Sequence, residues 1–296
     1  MAMTNANDRR RNAHWLGLLG LLLLATGRPG LAGQGILFEC QRPDRPPSYL
    51  LGTMHADDPR VLAVAESVRE PLRSVRRLIL EMVPDGPAML AAMLAGVLPR
   101  GQTLHDLLTP ELYASTMAAM AARGVPAELA ERMRPWAVAL ELSLPAGERG
   151  AFLDLHLYQL AEEAGLEVVG LESAAEQLSL FDDLTEAQQV SLLASAVKNL
   201  PLVSQQYEAM VAAYLDGDLQ ALQRLTEAQQ DDLGADLADW FEHTMVEQRN
   251  LRMAERLRPW LDQGGALVAV GALHLVGNTG LLATLGRAGC EWRVLR

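Results

Sequence analysis

The chain of 296 residues is poor in several residue types, and each scarcity excludes a class of protein. Its two cysteines are too few for a disulfide-rich scaffold or an all-cysteine metal site. Lys198 is the only lysine and the formal net charge is −12, so no basic patch is available for phosphate contacts and nucleic-acid binding is not expected. Aromatic residues make up only 5% of the chain, which favours helices packed around a modest sheet over an all-β fold.

The first 32 residues have the order of a secretory signal. A basic cluster at residues 9–11 precedes an apolar run at residues 15–25, and small residues follow up to Ala32. The run is about half of the roughly 20 residues that a membrane span needs. We therefore predict a signal peptide at residues 1–32 and a periplasmic or secreted mature chain, residues 33–296, without a membrane span. The alternative is an uncleaved N-terminal membrane anchor.

Export affects whether the two cysteines are expected to be oxidised. Cys40 and Cys290 lie near the two ends of the mature chain in apolar, strand-like contexts. In an oxidising compartment they could form a disulfide that holds the termini together. The alternative is a pair of buried thiols that pack as small hydrophobic groups.

Short apolar runs separated by long helical patterns predict the fold. We expect four buried strands and two weaker ones near the chain ends, at residues 48–51, 77–80, 167–170, 266–270, 36–40 and 290–295. Helices are expected between them, among others at residues 59–75, 110–123 and 280–288. Strands that alternate with helices predict an α/β fold with a mixed, mainly parallel sheet. The long helical segments, at about residues 87–150 and 186–261, are expected to be insertions that form a cap on one domain.

Each of the four stronger strands leads to a residue that can bind metal or transfer a proton. A Gly-x-x-His motif ending at His55 follows the first strand, Glu81 and Glu172 follow the next two, and a second Gly-x-x-His motif ends at His274. The glycines are expected to allow a sharp turn past each strand. If the strands are parallel, their carboxyl ends share one edge of the sheet, and the four side chains converge. Two imidazoles and two carboxylates suit a divalent ion such as Zn, Mn, Co or Fe.

Around these motifs the chain resembles the TraB/GumN family, to which the Tiki metalloproteases are related. The resemblance covers about residues 36–296, and its matching segments are residues 49–55, 78–81, 170–178, 249–250 and 270–280. The family has exported bacterial members and metal-dependent peptidases. The resemblance therefore implies a repeated βα core whose site is formed by the two Gly-x-x-His motifs and an acidic residue.

The leading hypothesis is an exported metal-dependent hydrolase, most simply a peptidase. A divalent ion such as Mn, Co or Zn is expected on three ligands, namely His55, His274 and Glu172. Glu81 is expected to be the general base, although spacing does not distinguish the two glutamates. Arg249, which matches the family's Arg-Asn pair, is expected to hold a substrate carboxylate or the developing oxyanion. Asn278, at a position where the family often has an acid, is the other expected contact to the peptide or small-molecule substrate.

Two other hypotheses remain open at this point. A protein of the same fold could hold a metal, haem or a peptide in this crevice without turnover. A helical interaction module could instead use its Ala-, Leu- and Met-rich faces to meet a partner. The sequence does not define the oligomeric state.

Overall fold

The computed structural model describes residues 35–147, 152–230 and 232–295. The signal peptide predicted at residues 1–32 lies outside these ranges and stays a prediction. The described residues contain six strands in one sheet, all close to the positions predicted from the sequence. They are β1 (Leu37–Gln41), β2 (Ser48–Thr53), β3 (Arg77–Leu80), β4 (Glu167–Gly170), β5 (Ala266–Gly271) and β6 (Glu291–Leu295).

The sheet is mixed and mainly parallel, as predicted, with the strand order β4-β3-β5-β2-β1-β6. Strand β5 pairs in parallel with β2 and β3, and β3 pairs in parallel with β4. Only β1 runs the other way, pairing antiparallel with β2 and β6. Thr53 is therefore beside Gly271, and Leu80 is beside both Ala269 and Gly170. The carboxyl ends of β2, β5, β3 and β4 lie in that order along one edge.

The central strands are mainly apolar, as is typical of parallel strands covered by helices. The side chains of β5 are buried from Ala266 to Val270, and those of β3 are buried from Leu78 to Leu80. Their apolar surface supplies the core that fixes the strand ends, since burial of each large aliphatic side chain stabilises the fold by about 1.5–3 kcal/mol.

Helices occupy most of the remaining described residues. They are α1 (Pro59–Leu62), α2 (Arg69–Ser74), α3 (Gly86–Ala95), α4 (Leu104–Leu107), α5 (Pro110–Ala122), α6 (Ala127–Ala130), α7 (Pro135–Leu142), α8 (Leu153–Glu163), α9 (Ala174–Asp182), α10 (Glu186–Asn199), α11 (Val203–Leu215), α12 (Leu219–Gln230), α13 (Ala235–Asp239), α14 (Gln248–Gln263) and α15 (Leu281–Arg287). The helix expected at residues 59–75 is interrupted by a 3₁₀ segment, Ala63–Val68, so its prediction as one element is wrong. A π-helical segment, Trp240–Glu247, leads directly into α14.

The helical insertions have an apolar core of their own. Met120 of α5, Val138 and Leu142 of α7 and Leu193 of α10 are fully buried in a cluster separate from the core around the sheet. These helices of the two insertions pack against each other, whereas α11, α12 and α14 of the second insertion contribute Val211, Leu222 and Met253 to the core around the sheet. None of the helices in the described ranges has the length and hydropathy needed to cross a bilayer.

A disulfide between Cys40 and Cys290 joins the strands at one edge of the sheet. Cys40 is in β1, and Cys290 directly precedes β6, the neighbour of β1. The two residues are 250 positions apart, and their Cα atoms are 5.1 Å apart. The bond therefore restricts the unfolded chain over nearly its whole described length.

Removing this bond should destabilise the chain without changing its fold. Closing so long a loop restricts the unfolded ensemble, and loss of a native disulfide costs about 2–5 kcal/mol. Urea denaturation with and without dithiothreitol should show this loss, and the Cys40→Ala/Cys290→Ala variant should be as unstable as the reduced chain. Dithiothreitol should not affect that variant. Equal midpoints for the oxidised and reduced wild type would contradict the prediction.

Candidate functional site

The glycines of the two Gly-x-x-His motifs allow close packing at the strand ends. A Cβ atom on Gly52 would lie 3.1 Å from Cα of Ala272, and one on Gly271 would lie 3.1 Å from Oε1 of Glu81. Neither glycine has a positive φ. The expectation that a sharp turn here needs backbone angles that other residues resist is therefore wrong. Their missing side chains instead let the end of β2 approach the turn after β5 and let Glu81 reach the Gly271 N–H.

His274 is buried and is held at both ring nitrogens. Its Nδ1 is 2.7 Å from Oδ1 of Asn250, and its Nε2 is 3.1 Å from an N–H group of Arg249. Because Oδ1 can only accept and a guanidinium can only donate, the network places the proton on Nδ1 and leaves a lone pair on Nε2. Burial lowers the pKa of His274, and Arg249 adds to this effect against the attraction of Glu81. The imidazole is therefore neutral at pH 7.

His55 has an exposed side chain and faces a buried acid. Its Nε2 is 3.4 Å from Oδ2 of Asp154, and its ring lies edge-on to Phe152. The Thr53 hydroxyl donates to Oδ1 of Asp154 at 3.0 Å, whereas Oδ2 accepts no hydrogen bond from the described residues. Burial raises the pKa of Asp154, and Glu81 also raises it, while His55 and Thr53 oppose this effect. Asp154 is thus a buried carboxyl group directed at the first motif histidine.

Glu81 joins the two central strand ends. Its Oε1 accepts the Gly271 N–H at 2.5 Å and lies 3.6 Å from Nε2 of His274, and its Oε2 accepts from Arg249 at 2.6 Å. Burial by itself raises the pKa of this carboxyl, but His274, Arg249, His55 and the Gly271 N–H together lower it to about 2. Glu81 is therefore an ionised carboxylate within the interior of the site.

Both carboxylate oxygens of Glu172 are bonded to arginines. Oε2 accepts two hydrogen bonds from Arg249, at 2.7 and 2.9 Å, and Oε1 accepts two from Arg252, at 2.9 and 3.1 Å. Gln177 adds a bond to Oε2 at 3.2 Å. Since these bonds use the available lone pairs, Glu172 functions in this structure as the anchor of two guanidinium groups.

Arg249 connects the site. It lies in the first turn of α14, and its guanidinium donates to Glu81, Glu172 and His274 and to the carbonyl of Met245 in the π-helical segment. The carboxylates of Glu81 and Glu172 balance the charges of Arg249 and Arg252, which is the condition for keeping such groups buried. Burial lowers the pKa of Arg249, but the two carboxylates outweigh this effect and raise it.

The structure brings most of the predicted site residues together. Glu81, Glu172, Arg249 and His274 form one hydrogen-bonded cluster, and His55 lies beside it at the end of β2. Asn278 is exposed elsewhere, in the wall of a cavity of about 260 Å³ that also contains Leu273. Of the disulfide cysteines, Cys40 lies in β1 and Cys290 directly precedes β6, so neither belongs to this cluster.

Sequence reasoning did not assign roles to four polar residues of the site, Asp154, Gln177, Asn250 and Arg252. Asp154 stands in the first turn of α8, far from the strand ends in sequence. Asn250 is fully buried, but it sits within a helix among polar neighbours. The sequence offered one signal for this asparagine, the family's Arg-Asn pair. In the structure this residue orients His274.

The donor set is chemically suited to a divalent ion. Nε2 of His274, the exposed imidazole of His55, Oε1 of Glu81 and Oδ2 of Asp154 are nitrogen and oxygen atoms of the kinds that Zn and Mn accept as ligands. Within the described ranges, however, no three His, Cys, Asp or Glu side chains are gathered closely enough to hold a metal. Arg249 lies within hydrogen-bond distance of both His274 and Glu81. A metal on His274 and Glu81 would therefore compete with these hydrogen bonds of Arg249.

Comparison with known proteins agrees with this architecture. The model of the TraB/PrgY/gumN family matches residues 36–293. Two zebrafish proteins (Danio rerio), Metalloprotease TIKI1 and Metalloprotease TIKI2, are each 26% identical to the chain over 83% of its length. The matched region covers 60% and 58% of those proteins, so the chain corresponds to about three-fifths of each relative. No solved structure matches the chain significantly.

Replacing Arg249 by methionine should strongly destabilise the protein, because Glu81 and Glu172 would stay buried without their shared cation. Loss of one partner of a buried ion pair costs about 3–5 kcal/mol. The matched control is Arg252→Met, since Arg252 is 33% exposed and contacts only one of the two carboxylates. We expect about 1 kcal/mol for that change.

Urea denaturation of the metal-free proteins measures both losses. Adding Glu81→Gln and Glu172→Gln to Arg249→Met should restore part of the stability, because the unpaired charges are then removed. Similar losses for Arg249→Met and Arg252→Met would contradict the central position assigned to Arg249.

Proposed function

Because this chain belongs to the TraB/PrgY/gumN family, we propose that it is an exported metal-dependent hydrolase, specifically a peptidase. The similarity to two metalloproteases supports the reaction class, and the arrangement of the two motif histidines supports a metal at this site. The proposed site comprises His55 and His274 with Glu81, at the carboxyl ends of β2, β5 and β3. A domain of residues 33–296 that follows a cleaved signal peptide is part of the same proposal.

One observation carries the proposal. Each motif histidine faces a buried oxygen on one side of its ring: Asn250 Oδ1 at 2.7 Å from His274 Nδ1, and Asp154 Oδ2 at 3.4 Å from His55 Nε2. Histidines that bind metal usually have such an oxygen partner, which fixes the ring orientation and leaves the other nitrogen for the ion. Asn250 and Asp154 are accordingly positioning residues in this proposal.

The contacts favour Glu81 as the carboxylate ligand, the reverse of the assignment expected from the sequence. Oε1 of Glu81 lies 3.6 Å from Nε2 of His274, whereas both oxygens of Glu172 are used by arginines. A ligand role for either oxygen of Glu172 would require two hydrogen bonds from a guanidinium group to be given up, from Arg249 at Oε2 or from Arg252 at Oε1. Glu172 therefore keeps the arginines in place while Glu81 faces the reacting groups.

The chain's own residues then have distinct tasks. A divalent ion, when bound, polarises a carbonyl group and makes a bound water acidic enough to react near neutral pH. Arg249, released from His274 and Glu81, is placed to bind the oxygen on which negative charge develops, or a substrate carboxylate. Asp154 keeps the exposed imidazole of His55 directed toward the site, and Asn250 holds the proton on Nδ1 of His274.

Metal content tests the proposal directly. After loading with Zn, Mn or Co, the untagged wild type should hold about one equivalent of metal, and His55→Ala/His274→Ala should hold none while remaining folded. Asn250→Ala should weaken metal binding by about 10–100-fold, because its loss frees the His274 ring. The control is His105→Ala, since His105 is exposed and lies outside the site.

Hydrolysis of a quenched fluorescent peptide library should follow the metal content of these variants. Metal in the wild type without turnover of any peptide would favour a binding protein of the same fold. No metal in the wild type would overturn the proposal that the protein is a metal-dependent hydrolase.

The two glutamates should differ when each is changed to glutamine. Glu81→Gln should weaken metal binding by at least about 100-fold, since a ligand contributes no less than its supporting partners. Glu172→Gln should keep the metal but destabilise the fold by about 3–5 kcal/mol, because it removes one partner from a buried ion pair. Calorimetric metal titration and urea denaturation of both variants separate these effects. Retention of metal by Glu81→Gln with loss of turnover would instead make Glu81 the general base.

A further inference from the structure

A cavity of about 350 Å³ lies beside the proposed site, between the two helical insertions, and the π-helical segment forms part of its wall. Its volume is within the range of about 300–1,000 Å³ that is usual for small-ligand pockets. Apolar side chains from several elements line it, including Phe181, Met210 and Trp240. One side of this lining is rigid, since Phe181 stacks on Trp136 with ring centroids 4.5 Å apart and also contacts Trp240.

The cavity is connected to the site through two lining residues. Met54 lines it and directly precedes His55 in the first Gly-x-x-His motif. Met245 lines it as well, and its carbonyl accepts a hydrogen bond from Arg249 at 3.4 Å. A group seated in this cavity therefore lies next to the backbone that positions both a proposed metal ligand and the central arginine.

The lining also indicates the chemistry of the occupant. Although the chain has a net charge of −12, none of the described residues around the cavity is charged. Four half-buried carboxamides complete the wall. Asn199 bonds to Asp232, whereas Gln206, Gln229 and Gln230 make no side-chain hydrogen bond within the described ranges. Carboxamides can donate to and accept from the amide groups of a peptide backbone. A fatty acid fits less well, because no cation of the lining would pair with its carboxylate.

We propose that this cavity is a specificity pocket that binds a large apolar side chain of an uncharged peptide segment. Its role in cleavage rests on the proposed function, because the pocket would then place the neighbouring peptide bond at the His55 and Arg249 side of the site. Binding itself needs no metal, since the pocket contains none of the proposed ligands. The glutamines contact the backbone of the bound segment, and Phe181, Met210 and Trp240 enclose its side chain.

Filling the cavity tests this proposal. Ala196 lines the cavity on α10, and Ala196→Phe would occupy the space intended for the ligand. The matched control is Ala118→Phe, because Ala118 is exposed on α5 and does not line the cavity. Met210→Trp fills the cavity from another wall and replaces the first variant if Ala196→Phe does not fold.

The measurement is calorimetric titration of the metal-free chain with acetyl-Leu-Phe-Leu-amide, acetyl-Ser-Asn-Ser-amide and decanoate. Burial of one large apolar side chain predicts that the apolar peptide binds about tenfold or more tightly than the polar one. The filled variant should lose this preference and the control should keep it. Equal affinity for both peptides, an unchanged preference in the filled variant, or tighter binding of decanoate would overturn the proposal.

The use of metal-free protein keeps this result separate from the proposed hydrolase. If the chain binds the apolar peptide but holds no metal, the result supports the pocket and contradicts its catalytic role. If the chain holds metal and cleaves peptides without a preference for apolar side chains, the result supports the hydrolase and contradicts the pocket.

Discussion

The buried guanidinium of Arg249 is the group on which the arrangement of the site depends. It bonds to carboxylates that come from two parallel strands and to an imidazole from a third. Isolated carboxylates at these depths would carry a desolvation cost of several kcal/mol each, so the burial of Glu81 and Glu172 depends on a cation close to them. The parallel sheet brings the strand ends together, and Arg249 makes their polar residues compatible with burial.

Much of this arrangement could be predicted from the sequence because the strands are short, apolar and followed at once by polar residues. The positions of all six strands and a mainly parallel sheet follow from that pattern. If the four stronger strands are parallel, the pattern also predicts the common edge at which His55, Glu81, Glu172 and His274 lie. Periodicity could not predict that Glu172 is used by Arg249 and Arg252, since those arginines are 77 and 80 positions away. Asp154 was also missed, because only the packing of α8 against the sheet brings it to His55.

The glycines show a related limit of sequence reasoning. A glycine after a strand usually indicates a backbone angle that other residues resist. Gly52 and Gly271 are used differently: the atoms that a side chain would meet are Ala272 and Glu81, which belong to neighbouring segments of the site. Their role depends on the distance between strands, which no local pattern contains. A sequence therefore shows where a glycine motif lies, but it does not show which contact requires the glycine.

The charge balance also constrains how a metal could enter. Two glutamates and two arginines already compensate one another, so a divalent ion adds positive charge to a neutral cluster. The repulsion between that ion and Arg249 is largest at His274 and Glu81, the two groups that both would contact. Metal entry should therefore displace Arg249 from these groups while Glu172 still holds its other face. In the proposed function, Arg249 would then be free to bind a substrate oxygen, so the residue that balances the two glutamates here would also serve in substrate binding.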